Sequence, residues 1–196
     1  MKQLELFPDD YAHLPSVIAL YSSIPQRGKG ETAKILIGRY GYRAVSFAEP
    51  LRRMTVGFLM GCGIPEPKAW DYATNRKEEV IPEVGYSVRY LMQTLGTEWG
   101  RNVVNQDLWL NLALSRIAGL TGLGERVVID DMRFPNEYAR LAGIGATMWR
   151  IERDAPYDGP AHVSNGLLDG ADFNRVILNN GTLEDLRGAV RGALNA

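Results

Sequence analysis

The stretch Ser16-Val17-Ile18-Ala19-Leu20-Tyr21-Ser22-Ser23-Ile24-Pro25-Gln26-Arg27-Gly28-Lys29-Gly30-Glu31-Thr32-Ala33 constrains this chain more than any other. An apolar run of strand length empties into a polar turn bearing Pro and Gly. Ala33, Ile35, Leu36 and Ile37 then open a helical pattern. A strand, a tight loop with Gly-Lys and a helix form the context in which a Walker-type sequence becomes a phosphate cradle. The first turn of a helix has unpaired backbone N–H groups and the positive end of the dipole, so a polyphosphate is held there favourably. Lys29 adds a mobile point charge able to reach the β- and γ-phosphates. Ser23, Arg27, Gly28, Lys29, Gly30 and Thr32 are accordingly the candidate cofactor-binding residues. The same segment also reads as a Gly-rich strand–helix connection with a solvated lysine.

The match to the Walker pattern is imperfect. Ser23 stands where the first Gly belongs, and it turns less freely than Gly at positive φ. Gly30 stands where a hydroxyl normally holds Mg²⁺. Thr32 is the nearest replacement, two residues further on. Adenylate-kinase-like loops resemble this one in carrying Gly directly after the Lys.

At 196 residues a single domain is expected, with a core large enough to need no covalent staples. A formal charge of −1 offers no global attraction to nucleic acid or to an anionic membrane. No stretch approaches the ~18 consecutive apolar residues of a membrane span. Residues 1–15 lack the basic start and apolar run of a signal peptide and read as a polar leader with a small Leu4-Leu6-Phe7 anchor. Cys62 is the only cysteine, which excludes an internal disulfide or thiolate cluster and fits a reducing cytoplasm. His13 and His162 are too few for a histidine-based metal site.

The expected order after the first helix begins with a short strand at 43–48 and a helix opened by Glu49-Pro50, with Leu51, Met54, Phe58 and Leu59 at helical spacing. Gly61 to Pro67 breaks it. Lys68 to Gly85 is irregular and charged, so a surface excursion is expected at about 62–86. Ser87 caps a helix from Val88 to about Gly96, with Val88, Leu91, Met92 and Leu95 as its buried stripe. Asp107 caps an apolar helix with Leu108, Trp109, Leu112, Ala113 and Ile117 inside. Arg126 to Asp131 is a buried strand, Phe134 to Gly143 a helix, Thr147 to Ile151 a strand, and Arg175 to Leu178 the last strand. Thr182-Leu183-Glu184-Asp185 begins the closing helix like a capping box, with Leu183, Leu186, Val190 and Leu194 as its core face. Alternating strands and helices imply an α/β fold, a three-layer parallel sheet with helices on both faces. Residues 16–196 form its single domain, without internal repeats.

Ligands of an open parallel sheet bind at the carboxyl ends of its strands. Those ends collect Gly28 and Lys29, then Glu49, then Asp130, Asp131 and Arg133, then Arg150 or Arg153. Cations, a cradle and carboxylates on one edge suit phosphoryl transfer, in which positioning and charge neutralisation do most of the work. An apolar strand ending in Asp130-Asp131 resembles a Walker-B magnesium site; the plainer reading is a strand-end Asp capping the next loop, and the functional one leads only because of the partner loop. Arg89, with Gln93 and Thr97 at i+4 and i+8, is the leading phosphate clamp, against the plainer reading of a solvated surface arginine.

Several stretches resemble the bacteriophage deoxynucleoside monophosphate kinases: Ser87 to Arg101 followed by Asp107-Leu108-Trp109, Val127 to Glu137, Phe47 to Arg52, His162 to Asn165, and Ile177 to Glu184. The likeness runs from Val17 onward. It implies a P-loop fold related to adenylate and thymidylate kinases, with the γ-phosphate of ATP passed, with Mg²⁺, to the 5′-phosphate of a deoxynucleotide in the host cytoplasm. Lys29 matches the P-loop lysine and Gly28 its glycine. Arg89, Gln93, Asp131 and Arg133 match positions that hold nucleotide and phosphate. The implied catalytic set is Lys29, Asp131, Arg133 and Arg89; the substrate set is Glu49, Arg89, Gln93, Thr97 and Arg153; the metal set is Asp130 and Asp131. Ser23, Gly30 and Glu31 depart from the family, whose members usually carry Gly, Asp or Ser, and Thr there. A second acidic group at Glu31 is mildly repulsive to a triphosphate unless it points away.

Two alternatives follow from this drift. Related kinases of phages that hypermodify thymine phosphorylate 5-hydroxymethyluridine within DNA. Such an acceptor needs a base, which Asp130 or Asp131 could provide, extrusion of the nucleotide, and a basic track to which Arg52-Arg53 and Arg76-Lys77 contribute. The other alternative is a nucleotide-binding module without catalysis. Monomer and homodimer are both left open.

Overall fold

A computed structural model describes residues 13–158 and 165–196. The Leu4-Leu6-Phe7 anchor and His162 lie outside the described residues. The chain divides into two compact units, Met1–Ser46 with Arg116–Ala196, and Phe47–Ser115.

The first unit is built on a five-stranded sheet. β1 (Val17–Tyr21) is buried at every position, which explains its unbroken apolar run. It is followed by α1 (Lys29–Tyr40) and β2 (Arg43–Val45), the latter shorter than the expected 43–48. After the second unit come β5 (Val127–Ile129), α6 (Pro135–Gly143), β6 (Thr147–Glu152), β7 (Arg175–Leu178) and α7 (Leu183–Asn195). The strands are ordered β2-β5-β1-β6-β7. Every pairing is parallel, with Ala19 opposite both Ile129 and Met148, and Arg150 opposite Val176. Helices cover both faces, as the strand–helix alternation requires. On one face Ile18, Leu20, Trp149 and Ile177 pack with Leu36 of α1 and with Leu186 and Val190 of α7. α7 starts on the expected cap, where the Thr182 hydroxyl accepts from the Asp185 N–H and Asp185 accepts from the Thr182 N–H at 2.7 Å. Leu183, expected in the core, is 46% exposed because it precedes the buried i, i+4 series of Leu186, Val190 and Leu194.

The second unit holds α2 (Glu49–Gly61), α3 (Glu66–Thr74), the hairpin β3 (Val80–Ile81) and β4 (Tyr86–Ser87), and α4 (Val88–Gln93). A π-helical segment, Thr94–Val104, follows α4. α5 (Leu108–Gly122) then carries the chain back into the first unit. The expected irregular excursion is corrected here. Glu66–Thr74 is helical, with Pro67 in the first turn, where its missing N–H is not needed, and with Ala69, Tyr72 and Ala73 buried. Its core joins Val56, Leu59, Ile64, Ile81 and Val88. Ser87 caps α4 as expected, its hydroxyl accepting from the Tyr90 N–H. The helix does not run regularly to Gly96, however, because the hydrogen-bond pattern widens at Thr94. In α5, Trp109, Ala113 and Ile117 are buried as expected, whereas Leu112 is exposed and Leu110 is buried.

Candidate phosphate-binding site

The loop after β1 owes its shape to two left-handed residues. Gln26, at φ 62°, is the one non-glycine with positive φ among the described residues, and Gly28 lies at φ 107°. A Cβ at Gly28 would also collide with the side-chain amide of Asn179, so glycine is required there twice over. Gly28 is the N-cap of α1, and the first intrahelical bond runs from the Thr32 N–H to the Gly28 carbonyl at 2.9 Å. The N–H groups of Lys29, Gly30 and Glu31 precede that bond, and such first-turn donors favour an anion.

Side chains from β6 and from the turn after β7 fix the loop from outside. Asn179, just past β7, donates from Nδ2 to the Arg27 carbonyl at 3.0 Å. Its own N–H is bonded to the Glu152 carbonyl at 2.7 Å. Arg27 donates to the Ala155 carbonyl at 2.6 Å. Ser23 accepts at its carbonyl from the Gly166 N–H at 3.0 Å and at its hydroxyl from Arg150 at 3.3 Å.

These elements border a cleft of about 460 Å³ lined by Ser23, Gly28, Lys29, Asp130, Arg133 and Arg153 among others. Burial holds the Lys29 ammonium down to about 8, and the nearby Arg133 cation pushes the same way; Asp131, Asp130 and Glu137 oppose both. The site therefore stores positive charge at some expense, as an anion-binding cleft does. Asp130 lines the cleft. Asp131, the next residue, accepts a hydrogen bond from the Ser46 hydroxyl at 2.6 Å. Arg133 is set by its backbone: Glu137, only 3% exposed, accepts from the N–H groups of Arg133 at 2.8 Å and Phe134 at 3.1 Å. Glu31 also lines the cleft, and its ion pair with Lys34 at 2.6 Å moderates its repulsion toward a triphosphate.

Ser23, Arg27, Gly28, Lys29, Gly30, Asp130, Arg133 and Arg153 thus gather at one cleft of the first unit. Thr32 does not join them. It is fully buried, three residues along the helix from Lys29, and its hydroxyl lacks a hydrogen-bond partner among the described residues. The hydroxyl absent at position 30 is therefore not replaced from Thr32. Arg150 is tied into ion pairs with Glu152 at 2.7 Å and Asp169 at 3.4 Å beside the loop. Among the described residues no cluster of three or more acidic, histidine or cysteine groups could hold a metal. Asp130 is a carboxylate lining the cleft, and one or two carboxylates with phosphate oxygens and water are the usual surroundings of a Mg²⁺ ion in phosphoryl-transfer enzymes.

The remaining candidates lie in the second unit. Glu49 bonds Arg52 at 2.9 Å and Arg53 at 2.7 Å. Arg89 pairs with Glu78 at 2.7 Å. Gln93 and Thr97 are both exposed, and the change to π-helical bonding at Thr94 breaks the regular i+4 relation expected between them. Lys77 was not singled out on its own from the sequence. Its ammonium is held below the ordinary lysine value by burial and by the cations Arg52 and Arg89, so three positive groups converge there. Arg76 turns elsewhere, stacking over the Tyr72 ring at 4.3 Å and pairing with Glu79. Asn179 and Glu137 were also missed as site residues, although both sit in stretches that carried the family resemblance. Only the fold reveals what they touch.

Comparison with known proteins adds the family. A family model described as deoxynucleotide monophosphate kinase matches residues 66–190, more than half of the sequence. The chain belongs to the deoxynucleotide monophosphate kinase family. Relatives within it include the deoxynucleotide monophosphate kinase of Enterobacteria phage T4, 29% identical over 125 residues, covering 62% of this chain and 52% of the relative. That of Escherichia phage RB69 is 29% identical over 102 residues, covering 52% and 42%. The chain therefore spans about half the length, or less, of the curated relatives it matches. A dephospho-CoA kinase from Campylobacter jejuni shares the fold, with a TM-score of 0.52 at 12% identity over 92% of this chain and 96% of that one. The fold is that of the P-loop kinases. The family match begins at residue 66, so the loop at 22–31 is read from its geometry.

Proposed function

We propose that this member of the family is an ATP-dependent nucleotide kinase that passes the γ-phosphate to a deoxynucleoside monophosphate, forming the diphosphate. The observation that carries the reading is the half-buried Lys29 ammonium, set among Arg133, Asp130 and Asp131 at the amino end of α1. In this reading the loop and the first turn of α1 hold the triphosphate, and Lys29 bridges its β- and γ-phosphates. Asp130, together with phosphate oxygens, would hold a Mg²⁺ ion, which would supply charge neutralisation there. Arg133 and Arg153 compensate the charge that spreads over the transferring group. Arg89, with Arg52 and Lys77 beside it, binds the acceptor's 5′-phosphate; Glu49, Gln93 and Thr97 are the proposed contacts to the rest of the nucleotide. An acceptor phosphate oxygen attacks the γ-phosphorus, the bond to the β-phosphate oxygen breaks, and ADP departs. An ionised phosphate needs no general base, so Asp131 can remain bonded to Ser46.

No helix among the described residues is long and apolar enough to cross a membrane, and the proposed place of action is the host cytoplasm, where nucleotides are found. The test is incubation with γ-labelled ATP and Mg²⁺ alongside each deoxynucleoside monophosphate and DNA containing 5-hydroxymethyluridine. Label is expected on at least one monophosphate and is lost, by 100-fold or more, in Lys29→Ala. Label on DNA alone contradicts the proposed acceptor, and no label on any acceptor contradicts the kinase reading.

A further inference from the structure

The loop departs from the Walker pattern at its first position, where Ser23 replaces glycine. In the fold that serine is occupied at both ends. Its carbonyl accepts from the Gly166 N–H at 3.0 Å, and its hydroxyl accepts from Nη2 of Arg150 at 3.3 Å. Arg150 is itself fixed. Nη1 donates to the Asp169 carbonyl at 3.0 Å, its guanidinium faces the Asp169 carboxylate at 3.4 Å and Glu152 at 2.7 Å, and its side chain is only 19% exposed. The guanidinium also lies 6.0 Å from the centre of the Tyr21 ring and 5.9 Å from that of Phe173. Tyr21, the last residue of β1, donates to the same Asp169 carboxylate at 2.9 Å. A cation held within β6, opposite Tyr21, thus holds the head of the phosphate loop, two residues past the end of β1.

We propose that Arg150 is a positioning residue for the phosphate loop and that Ser23 is its handle, so the side chain that breaks the Walker pattern is what sets the loop's geometry here. A glycine at 23 has nothing for Arg150 to grip, and restoring the consensus residue then weakens nucleotide binding rather than improving it. The contact is between a charged donor and a half-buried hydroxyl, a class of bond whose loss is felt as about tenfold or more in a binding constant. This inference rests on the nucleotide-binding reading of the loop.

The test is titration of the full chain and of Ser23→Gly, Ser23→Ala, Ser23→Thr, Arg150→Met and the double variant Ser23→Ala/Arg150→Met with Mg²⁺–ATP, with steady-state kinetics beside it. Ser23→Gly and Ser23→Ala are expected to bind about tenfold more weakly, and Ser23→Thr, which keeps the hydroxyl, to bind like the wild type. The double variant is expected to be no weaker than Arg150→Met alone. KM for ATP should rise while KM for the acceptor stays fixed, a split that a general loss of structure does not give. Should Arg150→Met fail to fold, Ser23→Ala against Ser23→Thr decides. Unchanged or tighter binding by Ser23→Gly or Ser23→Ala, or losses that simply multiply in the double variant, overturns the proposal. A wild-type chain that does not bind ATP overturns the nucleotide reading as well.

Discussion

Lys29 is where function and stability pull apart. Its ammonium sits at about 8 in the fold, mainly through burial, whereas an unfolded chain keeps a lysine near its ordinary value. Between those values the unfolded chain binds more protons, so this group makes the protein more stable as pH rises from about 8 toward about 10.5. Below pH 8 the strain is present in full. Lys29→Met is therefore expected to raise the stability of the free protein at pH 7 by about 1–3 kcal/mol, to flatten its pH dependence above 8, and to remove activity. Denaturant melts at pH 7 and pH 10 check this; a Lys29→Met protein no more stable than the wild type shows that the lysine is not strained. Bound phosphate reverses the preference, because an anion stabilises the protonated amine. At this scale the loop motif and the strand ends singled out Lys29, Gly28, Asp130 and Arg133, and these four line one cleft. The sequence could not show Asn179 on Arg27, Glu137 beneath Arg133 or Arg150 on Ser23, because these partners are far apart in the chain or belong to backbone turns. Thr32 was misplaced because a two-residue shift on a helix turns a side chain by about 200° and puts it on the opposite face.

Elements with a strong period were legible and those shaped by glycine and proline were not. β1, β5 and α7 follow from unbroken apolar runs or a capping box. α3 was hidden because Pro65 and Pro67 read as a break, and because its buried stripe is mostly small residues, Ala69 and Ala73. The π-helical Thr94–Val104 carries a tertiary contact that no period reports. Trp109 donates its indole N–H to the Gly96 carbonyl at 2.8 Å, and its ring fills the space where a Cβ on Gly100 would stand. A side chain that bonds into the helical ladder is one recognised cause of a departure from regular i→i−4 bonding. Gly100→Ala is expected to destabilise the protein by about 1–3 kcal/mol through that collision, with the loss reduced in Gly100→Ala/Trp109→Phe. Thermal melts of the two variants check it. Equal stability of Gly100→Ala and wild type contradicts the packing described.

Over the whole molecule, the parallel order β2-β5-β1-β6-β7 places the carboxyl ends of β1, β5 and β6 along one edge, with Lys29, Asp130 and Arg153 following them. The shared carboxyl edge was readable from alternation of strands and helices, since parallel pairing follows from it, whereas the strand order was not. The division at Ser46 and Ser115 was not, because no shift in composition or linker-like run marks it. A ligand that binds only the folded chain stabilises it by mass action, about 2.7 kcal/mol at 100 times its dissociation constant, so nucleotide should raise Tm in proportion to its affinity. The central claim, that the amino end of α1 and Lys29 grip a triphosphate, is tested most directly by calorimetric titration of the wild type and Lys29→Met with Mg²⁺–ATP at pH 7 and pH 9. The account predicts one-to-one binding with a dissociation constant below about a millimolar, weaker at pH 9 than at pH 7 and lost in Lys29→Met. Equal binding by both proteins, or none by the wild type at millimolar ATP, contradicts it.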